Sequence, residues 1–204
     1  MKYSIHASPY VVGLTGGVAA GKSEVRKTFE ALAVPCLDAD VVARNIHQDP
    51  LHPATQELAC AFPEWMSNEG ALKRGSLQGL FARNGEANRT LIEILKPHVL
   101  AAVRDWIKHQ VALYVICESA LLTSEPMTVD KLILVESQTP LRIQRMRLRN
   151  PQWSEDDMNT LIRVQAKMQR SQIAEADIIR NDGSLEALQQ QVVKLHHNYQ
   201  TLWN

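Results

Sequence analysis

The residues best suited to chemistry lie in GLTGGVAAGKSEV, Gly13–Val25. Gly16, Gly21, Lys22 and Ser23 satisfy GxxxxGK[ST], a pattern that roughly one random chain in a hundred of this length would match. Glycines at 16, 17 and 21 let the backbone turn tightly, and with Val18, Ala19 and Ala20 they form a loop whose N–H groups face anionic oxygens. Lys22 then reaches the outer phosphates of a nucleotide, and the Ser23 hydroxyl serves Mg²⁺. The competing reading is a plain glycine turn before a helix. Glu24 raises a question, because it sets a carboxylate beside the place where phosphates would lie.

Three further sites follow. Asp38 and Asp40, in DADVVAR, close an apolar run; one of them is placed to take a proton from an acceptor hydroxyl, and equally both are placed to cap the next helix. Glu118 closes YVIC, as a Mg²⁺ holder or as an ordinary carboxylate at a strand end. LRIQRMRLRN carries Arg142, Arg145, Arg147 and Arg149 within eight residues. Such arginines can close over a transferring phosphoryl group or form a solvated helix face. The histidines, His196 and His197 included, are assigned no chemistry.

The elements around these residues are those a phosphate loop needs. YVVGLT reads as a strand, and Val25, Phe29 and Leu32 recur after it at helical spacing, so the loop lies between strand and helix. VPCLDAD, LYVICES, KLILVES and ADIIRND are four more short apolar runs, which together predict a five-stranded parallel sheet covered on both faces. Ligands gather outside the carboxyl ends of such strands, where Asp38, Asp40 and Glu118 stand. Between Val41 and Val111 only helical stretches occur (ATQELACAF, GSLQGLF and NRTLIEILKPHVLAAVRDWIKHQV), jointed at QDPLHP. Ser154 with Asp157 makes a capping box for a polar helix. A last helix from about Ser184 sets Leu185, Leu188, Val192, Leu195, Tyr199 and Leu202 on one face.

The 204 residues suffice for one domain with insertions. Lys plus Arg equals Asp plus Glu at 22 each, so no bulk charge points to nucleic acid or a membrane surface, and anion binding must be local. Cys36, Cys60 and Cys117 are an odd set without metal-ligand spacing and read as buried, reduced thiols. With no signal-peptide pattern and no membrane-length apolar run, the expectation is a soluble, cytoplasmic protein, a monomer or weak homo-oligomer.

Together these motifs resemble the dephospho-CoA kinase family from Val11 to about Tyr199. GLTGGVAAGKS is similar to its phosphate loop, DADVVAR to its DAD motif, ESALL to its acidic strand end, and ADIIRNDGSLEAL to its closing strand and NxG turn; GALKRGSL sits where the family has an arginine before a leucine. The resemblance implies a P-loop three-layer α/β/α fold that phosphorylates the ribose 3′-hydroxyl of dephospho-CoA with ATP and Mg²⁺, the last step of coenzyme A synthesis. It implies a nucleotide-binding core (1–45, 111–140 and 174–204), a helical CoA-binding insertion (46–110) and a lid (141–173). It also implies Asp40 as base, Asp38, Arg44 and Arg74 on the substrate, Arg145 and Arg149 from the lid, Asn181 beside adenine, and Ser23 with Glu118 on the metal.

The chain departs from the family where AAGKSE replaces GSGKST, so that Ala19 and Ala20 must turn the loop and Glu24 stands for a threonine on the α-phosphate. It departs also at Lys96-Pro97-His98 and at Ser119-Ala120. Kinases of other small acceptors such as nucleotides, and a nucleotide-binding module with decayed activity, are the alternatives. A GTPase is disfavoured by the absence of NKxD.

Overall fold

The structure, a computed structural model, describes residues 8–73, 85–119, 128–169 and 175–204. All five expected strands form: β1 (Tyr10–Gly16), β2 (Cys36–Asp38), β3 (Tyr114–Glu118), β4 (Lys131–Glu136) and β5 (Asp177–Arg180), in the order β2-β3-β1-β4-β5. The sheet is parallel. β1 is central, with Leu14 opposite Glu118 on one side and Gly16 opposite Val135 on the other. Residues of both parities in β3 are buried, which is why its sequence is a continuous apolar run rather than an alternating one.

Helix α1 (Lys22–Ala31) contributes Val25 and Phe29 to the main core, where they join Val12, Leu14, Ile116 and Ile133 of the sheet. Each such fully buried side chain stabilises the fold by about 1.5–3 kcal/mol. The C-terminal helix, numbered α7 below (Leu185–Trp203), is capped by Ser184 and adds Leu188, Val192 and Tyr199 to the same core. Its apolar face is shorter than the periodicity predicts: Leu185 and Leu202 are about half exposed, while Trp203 stacks on Tyr10 at a centroid distance of 4.5 Å. His196 is buried as well, its Nδ1 2.6 Å from the Tyr114 hydroxyl.

The described chain forms two compact units, one running to Leu37 and resuming at Gln110, the other spanning Asp38–His109. The second is helical: α2 (Ala39–Gln48), α3 (Pro53–Ala61), a 3-10 turn (Pro63–Trp65) and α4 (Gly85–Lys108). Ile46, Ala54, Leu58, Phe62, Leu91 and Leu95 form its core. A single antiparallel bridge, Met66 with Leu72, is its strand-like pairing among the described residues. The expected helix at GSLQGLF lies outside the described residues.

Two more helices, α5 (Thr139–Arg149) and α6 (Glu155–Gln169), belong to the first unit. The capping box holds: Ser154 Oγ accepts from the Asp157 N–H, and Asp157 Oδ2 accepts from the Ser154 hydroxyl at 2.6 Å and from the Ser154 N–H at 3.1 Å, the two bonds that lower the Asp157 pKa. Burial pushes the Cys36 and Cys117 thiols up to about 12, so both are inert at neutral pH; Cys60, expected to be buried, is exposed on α3. No described helix is long and apolar enough to cross a membrane.

Candidate active site

Where β1 ends, the chain turns through Gly16–Gly21 into α1. Gly21 is the N-cap of α1, with φ +106° in the left-handed region that glycine alone enters without strain. A Cβ there would run into the Asn181 side-chain amide. Ala19 also has positive φ, +56°, at a cost of about 1–2 kcal/mol for an L-residue. Its compensation lies in packing, since Val18 and Ala19 rest on a small apolar cluster made by Met146, Met158 and Ile162 with Ile143, Trp153 and Leu161. Ala20, 1% exposed, joins the main core. Of the methyls that distinguish AAGKS from the usual glycine-serine loop, that of Ala20 is therefore buried and that of Ala19 is partly buried against the cluster, and helices α5 and α6 support the loop from its flank.

Lys22 Nζ lies 3.0 Å from the Gly16 carbonyl and 3.4 Å from that of Gly17, within the loop it is expected to serve. Ser23 follows in the first turn of α1, half-buried. Glu24 turns along the helix, pairing with Lys27 at 2.9 Å in an i,i+3 contact. Its side chain is thus engaged outward, and its N–H closes the first turn on the Gly21 carbonyl at 3.0 Å.

The arginines of α5 divide sharply. Arg145 is held by four neutral acceptors: Nη1 by Ala19 O (3.2 Å), Ala20 O (3.4 Å) and Ser137 Oγ (3.1 Å), and Nη2 by Asn181 O (2.9 Å). Asn181 donates Nδ2 to Ala20 O at 2.8 Å, and Ser137 Oγ donates to Asn181 O at 2.9 Å. The ends of β4 and β5 are in this way tied to the loop carbonyls. Arg142 donates Nε to Val18 O at 2.8 Å. Arg147 pairs with Glu155 on the surface, and Arg149 is exposed at the end of α5.

Glu118 ends β3 almost fully buried, with Arg26 Nε 2.8 Å from Oε2, and Arg26 in turn pairs with Glu30. The raised Arg26 pKa reflects those two carboxylates, against an opposing effect of burial. Glu118 is thus a charge-balanced internal carboxylate rather than a solvated strand end.

In the helical unit, Asp38 is the N-cap of α2: its Oδ1 accepts the N–H groups of Asp40 (3.0 Å) and Val41 (3.2 Å). Helix starts at Ala39, so Asp38 and Asp40 do not share one extended segment. Asp40 is exposed in the first turn and Arg44 is exposed one turn later. Arg74 lies outside the described residues.

The structure thus brings together Gly16–Ser23, Arg142, Arg145 and Asn181, and separately Arg26 with Glu118. Arg26 and Ser137 escaped the sequence reading. Arg26 had a usable signal, one helical turn beyond Lys22; Ser137 stands just past a strand's carboxyl end, where open sheets gather ligands.

A family model described as dephospho-CoA kinase (CoaE) matches residues 10–187. A dephospho-CoA kinase of Acinetobacter baylyi is 33% identical over 193 residues, covering 93% of this chain and 98% of that protein. One of Hahella chejuensis is 35% identical over 192 residues, covering 93% and 91%. A solved Thermus thermophilus structure, TT1252, has the same fold, with a TM-score of 0.80 at 24% identity over 94% of this chain and 97% of its own. A phosphate loop in its proper strand-to-helix setting and a match over most of the sequence lead to one conclusion: this chain belongs to the dephospho-CoA kinase family.

Proposed function

We propose that the chain transfers the γ-phosphoryl group of ATP to the ribose 3′-hydroxyl of dephospho-CoA, giving coenzyme A and ADP. The observation that carries this reading is the Gly16–Ser23 loop with Lys22 seated in it, in a chain matching the family over residues 10–187.

In this reading the loop N–H groups and Lys22 bind the ATP phosphates, Val18–Ala20 shape the loop, and Glu24 borders the α-phosphate with its carboxylate held on Lys27. Asp40, exposed at the start of α2, takes the proton of the acceptor hydroxyl, a step worth about 10²–10⁴-fold. Asp38 holds that turn in place by capping it, and with Arg44 and Arg74 it serves the substrate; the helical segment 46–110 takes the CoA portion. The segment 141–173 acts as lid, Arg145 and Arg149 attend the phosphates, and Asn181 borders the adenine side.

The donors for Mg²⁺ are the Ser23 hydroxyl and the Glu118 carboxylate, hard oxygens of the kind the ion prefers. No cluster of three His, Cys, Asp or Glu side chains occurs among the described residues. That fits an ion that keeps several waters and relies on substrate phosphates. When bound, Mg²⁺ neutralises charge on the phosphates; Arg26 orients the Glu118 carboxylate. We place the protein in the cytoplasm as a monomer or weak homo-oligomer.

The test is ADP release on adding dephospho-CoA with Mg-ATP. ADP appearing only with nucleoside monophosphates would make the acceptor assignment wrong.

A further inference from the structure

Two arginines of α5 reach the phosphate loop, and the loop receives them differently. Arg145 spends its donors on four neutral acceptors. Arg142, three residues earlier, donates Nε to Val18 O, while its Nη2 is buried with no hydrogen-bond partner among the described residues. The head rests on Gly17: a Cβ at that position would lie 2.7 Å from Cζ and 3.0 Å from Nη1. Among the described residues no carboxylate pairs with it, and burial alone lowers its pKa.

A desolvated guanidinium with an unmade hydrogen bond and no counter-charge is destabilising, and an arriving anion relieves that penalty. Lys22 meets Gly17 at the carbonyl and the Arg142 head fills the space a Gly17 side chain would take, so cations from α1 and α5 converge on one residue of the loop. Loss of water from such a site strengthens its pull on phosphate.

We propose that Arg142 is a further phosphate-binding residue of this site, whose buried Nη2 and charge, unmatched among the described residues, are satisfied by the phosphates of ATP. The assignment rests on the kinase reading above. It gives Gly17 a specific requirement, as the residue whose missing side chain admits the guanidinium.

The test is calorimetric titration of the full chain with inorganic tripolyphosphate and with ATP, each with Mg²⁺. Arg142→Gln is expected to weaken both about tenfold, the loss of about one charge-assisted bond. Arg147→Gln, which removes the same charge from the surface pair with Glu155, should stay within about twofold of the parent. Thermal unfolding separates binding from scaffolding. Binding predicts a ligand-free Tm near the parent's and a smaller rise on adding ATP. A lower ligand-free Tm with the ATP-induced rise intact overturns the proposal, leaving Arg142 as a prop for Val18. If Arg142→Gln binds tripolyphosphate as the parent does while Lys22→Ala does not, Arg142 is wrongly assigned and the loop stands. A parent chain that binds neither ligand overturns both the assignment and the kinase reading.

Discussion

Arg145→Gln separates two roles for one residue. If the guanidinium acts only on phosphate in the transition state, its loss lowers kcat by about 10²–10³-fold, the scale of losing one preorganised donor, and leaves stability alone. The geometry predicts more. Of the four acceptors, Ala20 O keeps the Asn181 amide and Asn181 O keeps Ser137 Oγ, whereas Ala19 O loses its described donor. The net loss amounts to between one and two charge-assisted bonds, about 2–3 kcal/mol. For a chain of this size each kcal/mol moves Tm by about 2–4 °C, so Tm should fall by about 4–12 °C. The KM for ATP should rise with it, because Ala19, held at positive φ, is among the residues released. Circular dichroism melts with and without ATP, beside steady-state kinetics, measure both effects. A Tm within a degree of the parent's would refute the clamp, whatever happens to kcat.

Three further outcomes follow from the same geometry. Gly17→Ala places a methyl inside the Arg142 guanidinium and should destabilise by about 1–3 kcal/mol as an overpacked site; combining it with Arg142→Gln should recover part of the loss in a denaturant titration, and strict additivity of the two would argue against the contact. Asp38→Ala removes a cap that accepts two N–H groups and should cost about 1 kcal/mol, whereas Asp38→Asn or Ser should restore Tm; failure of both to do so would deny the capping role. His47 and His196 both have pKa values lowered from 6.5, first by burial and then by the nearby charges of Arg44 and His197 respectively. The unfolded chain therefore binds protons first as pH falls, so stability is full above about 6.5 and declines as pH drops through that value toward the folded pKa values. A Tm that holds steady or rises between pH 7.5 and 5.5 would contradict this.

What could be read from the sequence was what local physics determines. The five apolar runs became five strands because each is short, continuous and bounded by turn formers. The Ser154–Asp157 box was legible because its partners are three residues apart. The Glu24 question also had a local answer: Lys27 lies three residues on along the same helix, a spacing at which opposite charges meet. A carboxylate engaged there leaves the loop's N–H groups to phosphate.

What stayed hidden depends on residues far apart in the chain. Arg26 meets Glu118 across 92 positions, and Arg145 meets Ala19 across 126. From sequence alone, alanines at 19 and 20 look like a weakened loop, since they replace the glycine and serine that turn it most easily. The reason they are tolerated lies in Met146, Met158 and Ile162, the core of the cluster on which Val18 and Ala19 pack. Strain of about 1–2 kcal/mol at one positive φ is comparable to the gain from burying one to two methyl groups, about 0.8 kcal/mol each. The exchange is therefore close to neutral for stability, and its consequence falls on function: the loop's shape now depends on α5 and α6. A change in the packing of Met146 or Met158, distant in sequence from every phosphate-loop residue, should reach ATP through Ala19.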